Sequence, residues 1–364
     1  MTVENLLTES LEAGGADLRI VCHGPEDVKR RLQSELLCLD QGPVGSPAHD
    51  PRWLLVMHAG LGHSPYLLEA YRGAELVGWL PLSFVRSWLF GRFLVSLPYI
   101  NSAGIRTVDA VAAEALVERA VELARQLNVR YLELRHEQEV VSAALPQANR
   151  SKVHMRLRLP DSAELLWKSF DPKVRNQIRK GEKQNFSVQW GGAELVDRFY
   201  EVFSRNMRDL GTPVFGRSLF GAIAHYFGDE AEFCVVSAGD KPIAAGLLVH
   251  GKQMTEVPSA SALREYNSSC ANMFLYWQLL QRAVARGQTV FDFGRSSAES
   301  STYRFKQQWG AEPTPAIWQY HVRSGTIGDM RLESGKYGLA VRVWKKLPLW
   351  LTNCLGPVIV RGIP

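Results

Sequence analysis

The chain has 364 residues, 46% of them hydrophobic and 22% charged, a composition typical of a globular protein with about two domains. Its net charge of +5 is too small to predict a nucleic-acid or membrane partner by itself. The five cysteines are widely spaced without a CxxC pair, and the nine histidines show no metal-ligand spacing. Neither a disulfide framework nor a structural or catalytic metal site is therefore predicted.

The N-terminal segment argues against export. Residues 1–16 lack a basic start followed by an apolar stretch, so no signal peptide is expected, and we predict that they are disordered. No apolar run reaches the ~20 residues that span a bilayer. We expect a cytoplasmic protein with reduced thiols, and leave open a peripheral position at the inner membrane face.

The first half alternates helices with strands. Residues 40–51 predict a loop, and Asp50-Pro51 supplies a cap and a first-turn proline for a helix. Leucines and alanines recur at helical spacing over 109–127. The predicted elements are a strand at 17–22, helices from 24 to near 38 and from 50, strands at 65–71, 75–85 and 93–97, a helix at 109–127 and a strand at 129–135.

The second half repeats this order of elements. Asp171-Pro172 opens a basic helix by the same combination of cap and proline. The predicted elements are a strand at 154–159, helices at 162–170 and from 171, a strand at 186–190, helices at 193–209 and 217–227, strands at 231–238, 241–250 and 253–258, a helix at 271–286, a strand at 289–293, a helix at 301–308 and a strand at 314–322.

This repetition predicts a domain boundary near residue 150. In both halves consecutive strands are followed by a helix and one further strand, which favours an α/β (α+β) fold of two duplicated mixed sheets over one doubly wound parallel sheet. We predict an N-terminal domain at 17–150, a C-terminal domain at 151–325 and a basic, aromatic and amphipathic tail at 326–364.

Three strings of the second half resemble segments of the Fem-type peptidyltransferases. Residues 173–180 fit K-x-R-x-x-I-R-K, residues 259–277 resemble a strand, loop and helix of that family, and residues 292–310 resemble its DFG…FKxxFG ending, with Trp309 in place of the usual Phe. The strings keep their order along the chain. They are most similar to the FemAB-related branch associated with PEP-CTERM/exosortase systems.

The resemblance implies two tandem GNAT-like folds with mostly antiparallel sheets, the C-terminal one of the BioF2-like acetyltransferase type. It also implies transfer of an acyl or aminoacyl group to an amine, with no permanently bound cofactor. The best-understood relatives use aminoacyl-tRNA and a peptidoglycan precursor. For this chain the donor is left open between aminoacyl-tRNA and acyl-CoA, and the acceptor is an amine-bearing envelope precursor, lipid-linked or free.

Three residues of the closing strings are catalytic candidates. Relatives place a lysine at the position of Lys306, where its ammonium would offset charge on a tetrahedral intermediate or bind a donor phosphate; the alternative is a solvated helix lysine. Asp292 and Arg295 lie at a strand end and would position the amine or accept its proton, or else form a structural ion pair. Glu256 is a weaker base candidate, more simply interpreted as an exposed strand carboxylate.

The substrate-binding candidates form two groups. The first is Lys173, Arg175, Arg179 and Lys180, within a segment, 150–183, that has ten Lys/Arg against four Asp/Glu. These cations suit a pyrophosphate, CoA or a tRNA acceptor end, unless they are simply solvated, while Val174 and Ile178 supply a buried face. The second group follows from the resemblance and comprises Arg208, Tyr266, Asn267, Asn272 and Tyr303; a helix cap is the simpler account of Asn267.

Two further patterns bear on function. Acetyl-CoA enzymes of this fold hold pyrophosphate with Q/R-x-x-G-x-G/A before a helix, and residues 307–312 nearly match but end in Glu312 and precede a strand. A conventional acetyl-CoA loop is therefore not expected. The tail at 335–360 would either dock across the two halves or rest on an anionic membrane face.

These inferences predict an N-acyl- or aminoacyltransferase of cell-envelope or exopolysaccharide biogenesis. The alternatives are a CoA-dependent N-acyltransferase of an amino sugar and a non-catalytic binding protein of an envelope or exosortase system. The mechanism requires that the Lys306 ammonium lies at a cleft and not in a remote surface pair.

Overall fold

The structure is a computed structural model that describes residues 11–12, 17–34, 46–325 and 338–363. The disorder predicted for 1–16 falls outside the described residues except at Leu11–Glu12, a two-residue strand. The predicted end of the first helix near residue 38 also lies outside them.

Helices and strands alternate along the described chain. The helices are α1 (Pro25–Ser34), α2 (Arg52–Leu61), α3 (Ala110–Gln126), α4 (Ala163–Ser169), α5 (Pro172–Glu182), α6 (Val196–Leu210), α7 (Arg217–Phe227), α8 (Ala271–Ala285), α9 (Ser301–Gln307), α10 (Gly338–Trp344) and α11 (Leu349–Val360). The strands are β1 (Leu11–Glu12), β2 (Leu18–His23), β3 (Ser64–Arg72), β4 (Glu75–Ser87), β5 (Gly91–Val95), β6 (Arg106–Thr107), β7 (Tyr131–His136), β8 (Gln147–Arg158), β9 (Ser187–Gly191), β10 (Ala231–Ala238), β11 (Lys241–His250), β12 (Met254–Ala262), β13 (Val290–Ser297) and β14 (Glu312–Val322).

Every helix and strand predicted within the described residues is present. The largest difference is at β8, which begins at Gln147 and not at the predicted residue 154. Residues 147–152 are polar except for Ala148 and give no alternating apolar signal, but their backbone pairs with β14 and so becomes part of the strand.

All described strands belong to one sheet, in the order β1-β2-β3-β4-β5-β7-β14-β8-β13-β12-β11-β10-β9, with β6 paired to β4. The two halves are therefore joined, whereas the repetition predicted two sheets. The reason is β14, which comes from the second half but pairs with β7 on one side and β8 on the other. Residue 150 lies within β8 and so inside the sheet.

Each half contains one parallel strand pair, and these two pairs are equivalent. β5 pairs with β7 up to Val95 and Glu133, and β12 pairs with β13 up to Glu256 and Asp292. A helix connects the strands of each pair, α3 in the first half and α8 in the second. All other pairings of the sheet are antiparallel.

Both faces of the sheet are covered by helices. Successive residues of β3, Leu67 and Leu68, are fully buried in different clusters, as expected for side chains that alternate between the two faces. One cluster combines α2 with α6 and α7 and contains strand residues of both halves, including Leu67 and Phe233. This shared core fixes the position of the two halves relative to each other.

The tail packs across both halves. A Cβ added at Gly356 of α11 would lie 2.8 Å from the backbone N of Val214, and one added at Gly362 would lie 3.3 Å from Cδ2 of Phe90. The expectation of an amphipathic tail is wrong for α11, because apolar residues occupy its outer side as well as its inner one.

Candidate active site

The candidate site lies where β12 and β13 diverge. Their parallel pairing ends at Glu256 and Asp292, although both strands continue for several residues. Pro258 has no N–H to donate, and the β11–β12 register shifts opposite this segment. The register between β13 and β8 also shifts between Asp292 and Arg295. Some backbone groups at this point therefore do not take part in strand pairing, and they and the neighbouring side chains can form a site.

Gly294 makes the turn in β13 possible. Its φ of 77° is in the left-handed region that favours glycine. In this conformation its N–H donates to Oδ1 of Asp292 at 2.7 Å, while its carbonyl oxygen accepts a hydrogen bond from Lys306. The Asp-Phe-Gly string at 292–294 thus supplies both a carboxylate and the glycine that this turn requires.

The Lys306 ammonium is buried beneath this turn. The residue is only 8% exposed, so the alternative of a solvated helix lysine is wrong. Nζ donates to the carbonyl oxygens of Gly294 at 3.0 Å and Arg295 at 3.1 Å. Burial, together with the charge of Arg295, lowers its pKa to about 8 against the opposing effect of Asp292. An ammonium has three N–H groups, so one is left for a ligand.

The buried Asp292 forms an ion pair with Arg156 of β8. Its Oδ2 accepts from Nε of Arg156 at 2.8 Å, and the same guanidinium donates to both oxygens of Glu137 at 2.6 and 2.7 Å. Burial alone would raise the pKa of Glu137, but the bonds and charge of Arg156 hold it at about 2. The sequence did not reveal this network, because Arg156 becomes the neighbour of Asp292 only through the pairing of β8 with β13.

Glu256 differs most from its expected environment. It is 4% exposed, so the interpretation as an exposed strand carboxylate is wrong. Burial and the nearby charge of Asp292 raise its pKa to about 8, despite the opposing effect of Arg156. A carboxyl group with such a pKa is suited to accept a proton near neutral pH.

Arg295 stacks on an aromatic ring. Its guanidinium carbon is 3.7 Å from the centroid of Trp318 on β14, and that of Arg135 is 4.0 Å from the same ring. Trp318 donates through Nε1 to the carbonyl oxygen of Asn101. The position of Arg295 therefore depends on the strand and loop that join the halves.

Residues of both halves complete the surroundings of the site. The Tyr99 hydroxyl is 2.8 Å from Oγ of Ser259, which follows the bulge in β12. His154, opposite Arg295 in the sheet, is buried, and neither ring nitrogen has a hydrogen-bond partner among the described residues. Burial lowers the pKa of His154, although Asp292 and Glu137 oppose the shift. Neither the Tyr99–Ser259 contact nor the burial of His154 was visible in the sequence.

The basic helix α5 lies against the first turn of α8. A Cβ added at Gly181 would lie 2.7 Å from Cβ of Phe274 and 3.3 Å from the carbonyl oxygen of Cys270. Val174 and Ile178 are buried as predicted. The four cations flank this buried stripe, and within the described chain none of them forms an ion pair with a carboxylate. They are Lys173, Arg175, Arg179 and Lys180.

The N-termini of the two equivalent helices differ. In α3 the Asp109 carboxylate accepts from the N–H groups of Val111 and Ala112 and also pairs with Arg72. In α8 the N-cap residue is Cys270, which makes no side-chain cap. The end of α8 can thus accept an external anion, whereas the end of α3 already holds one.

The remaining candidates do not join the cluster. Arg208 pairs with its neighbour Asp209 at the end of α6, and Tyr266 lies beneath Lys241, whose Nζ is 5.4 Å from the ring centroid. Asn267 is exposed before α8 and Asn272 is half-buried in its first turn, whereas Tyr303 is half-buried on α9. In the described part of the chain no hydrogen bond or ion pair connects these five side chains to Glu256 or Asp292.

The described residues contain no group of three or more His, Cys, Asp or Glu that could hold a metal ion. Within the same ranges, every helix is too short or too polar to cross a membrane.

Comparison with known proteins identifies the class of fold. Residues 168–307 match the family model of an acetyltransferase (GNAT) domain. A search of curated proteins finds no match. The chain has a GNAT-like fold, a mixed and mostly antiparallel sheet flanked by helices, as the resemblance predicted.

Three solved structures share this fold over most of their length. FemX has a TM-score of 0.58 and 13% identity, covering 86% of this chain and 97% of that one. The C-terminal domain of an Agrobacterium fabrum protein described as a lysylphosphatidylglycerol synthetase has a TM-score of 0.56 and 16% identity. The match covers 82% of this chain and 92% of that one. A tandem GNAT protein from the clavulanic acid biosynthesis pathway has a TM-score of 0.51 and 14% identity, covering 85% and 100%.

Proposed function

We propose that the chain is an acyltransferase of the Fem-like GNAT class that transfers an acyl or aminoacyl group to an amine. The observation that carries this proposal is the burial of a carboxyl, Glu256, and an ammonium, Lys306, near enough for each charge to act on the other, where β12 and β13 diverge. The GNAT domain match over residues 168–307 contains both residues. Structural similarity to FemX and to a tandem GNAT protein supports the same class.

The two groups have complementary tasks in amine acylation. The amine nitrogen attacks the donor carbonyl carbon, and Glu256 in its carboxylate form takes the proton that the nitrogen loses. The carbonyl oxygen gains negative charge, which the Lys306 ammonium stabilises through its remaining N–H group. When the carbonyl re-forms, the bond to the donor's oxygen or sulfur breaks, and that atom leaves with a proton. No covalent intermediate with the protein is needed.

Phosphates of the donor would bind at the N-terminus of α8 beside α5. The uncapped helix end and the four cations of α5, which form no ion pair with a carboxylate among the described residues, both favour negative charge. The connection at 263–270 contains no glycine, unlike the pyrophosphate loop of acetyl-CoA enzymes. These features fit either CoA or the acceptor end of an aminoacyl-tRNA.

The acceptor is proposed to be an amine-bearing precursor of the cell envelope or of an exopolysaccharide, lipid-linked or free. Its support is the sequence resemblance of residues 173–180 and 292–310 to the Fem-type family, and to the branch associated with PEP-CTERM/exosortase systems. A cytoplasmic location at the inner membrane face would place the enzyme beside such precursors.

Transfer can be tested with a donor panel. Purified protein is incubated with radiolabelled acetyl-CoA, longer acyl-CoAs or charged tRNAs, together with amino sugars and peptidoglycan precursors, and product formation is measured. We expect transfer from one donor class and its loss in Glu256→Gln and Lys306→Met. The matched control is Gln307→Met, an exposed position of α9 at which no charge is changed.

The outcomes separate the alternatives. Acyl-CoA turnover with an amino sugar identifies the CoA-dependent N-acyltransferase, which the GNAT domain match favours. Donor binding without turnover, unchanged in the Glu256 and Lys306 variants, would refute the enzyme proposal and leave a binding protein.

A further inference from the structure

The outer side of α11 is apolar and exposed. Thr352, Gly356 and Val360 are buried and recur every four residues, which places them on the side that faces the protein. The other side presents the large residues Trp350, at 68% exposure, and Val358, at 48%. A surface helix normally presents polar residues to water. The apolar residues on the outer side of α11 therefore indicate that this side contacts another molecule or a membrane.

The turn between β4 and β5 extends this apolar region. It lies at the C-terminal end of α11, where Gly362 packs against Ser87 and Phe90. Its tip carries Trp88, which is 89% exposed, followed by the exposed Leu89. We use the name α11 surface for five exposed residues: Trp88, Leu89, Trp350, Leu355 and Val358.

The segments that form the α11 surface carry charge of one sign, although Asp197 and Glu201 of α6 line a pocket together with Leu349 and Asn353 of α11. Residues 338–363 and 84–92 contain no Asp or Glu. Their six cations form no ion pair with any residue in the described part of the chain. The cations are Arg86, Arg92, Arg342, Lys345, Lys346 and Arg361.

We propose that the α11 surface inserts into the interfacial region of an anionic phospholipid bilayer. Tryptophans are suited to the boundary between headgroups and acyl chains, because the indole combines an apolar ring with one N–H donor. The surrounding cations would then contact the lipid phosphates. A second copy of the chain fits less well, since an isologous dimer would bring six cations of each copy against those of the other.

Vesicle binding by the full chain tests the proposal. We expect co-sedimentation with phosphatidylcholine vesicles that contain phosphatidylglycerol, little with phosphatidylcholine alone, and weaker binding as salt increases. Lys345→Gln combined with Lys346→Gln should weaken binding by roughly 25-fold, because each cation near an anionic surface contributes about fivefold. Trp88→Ser combined with Trp350→Ser should abolish it while leaving the melting temperature unchanged.

Matched controls use exposed residues elsewhere. Val141→Ser with Leu165→Ser removes comparably exposed apolar side chains, and Lys29→Gln with Arg125→Gln removes two distant cations. These variants should bind vesicles like the wild type. Binding that survives the Trp88 and Trp350 changes, no preference for anionic lipid, or a dimer that Trp350→Ser dissociates would each overturn the proposal.

Discussion

The protonation of Glu256 should be measurable as a pH-dependent loss of stability. Burial raises its pKa from 4.5 to about 8, so between these values the folded protein keeps a proton that the unfolded chain has released. Stability is therefore highest below the unfolded pKa and falls as pH rises toward 8, by about 1.4 kcal/mol per pH unit for one proton. In Glu256→Gln, which mimics the protonated carboxyl, this loss disappears.

The prediction is a difference between two proteins at two pH values. From pH 5.5 to 7.5 the unfolding free energy of Glu256→Gln should gain roughly 2–3 kcal/mol relative to the wild type, since up to one proton is involved over two pH units. This window ends below the pKa of Lys306, about 8, so titration of that ammonium contributes little. Urea denaturation followed by intrinsic fluorescence provides the measurement.

The control is Ser259→Ala, which removes the hydroxyl that bonds Tyr99 but no titrating group. It should cost about 1 kcal/mol equally at both pH values. A stability difference between Glu256→Gln and the wild type that does not change with pH would refute a protonated, buried Glu256. The role of Glu256 as general base would then lose its physical basis.

Three further changes test the site. In the wild type, kcat/KM should follow a bell-shaped pH dependence near pH 8, rising as Glu256 loses its proton and declining as the Lys306 ammonium is lost, and Lys306→Met should lower kcat by about 100-fold or more; a pH–rate profile checks both. Arg175→Ala with Arg179→Ala should raise the donor KM by about tenfold with kcat nearly unchanged, and an unchanged KM would contradict phosphate binding by α5. Asp109→Ala should lower stability by about 1 kcal/mol with no effect on kcat/KM, because this carboxylate caps α3 and pairs with Arg72, away from the candidate site.

The elements of the fold were predictable because their signals are local. The helices from Asp50-Pro51 and Asp171-Pro172 and the hairpin strands follow from caps, prolines and alternation, all within a few residues of sequence. The joining of the halves was not predictable, because β14 pairs with strands far away in the chain and its sequence does not specify which ones.

The candidate site also contains residues that local sequence could predict and residues that only strand pairing brings together. Lys306, Asp292 and Arg295 could be selected from one contiguous string, and the structure places them around the turn at Gly294. The partner of Asp292 could not be selected, because Arg156 lies on another strand and becomes adjacent only through sheet register.

By itself, the sequence determined which residues form helices and strands, and which residues near the C-terminal end resemble a catalytic string. Only the tertiary structure decided that Glu256 is buried beside Asp292, and that the outer side of α11 is apolar. Burial is a property of what surrounds a side chain, and for both regions the surrounding residues come from distant parts of the chain. The desolvation that raises the pKa of Glu256 therefore has no counterpart in its local sequence.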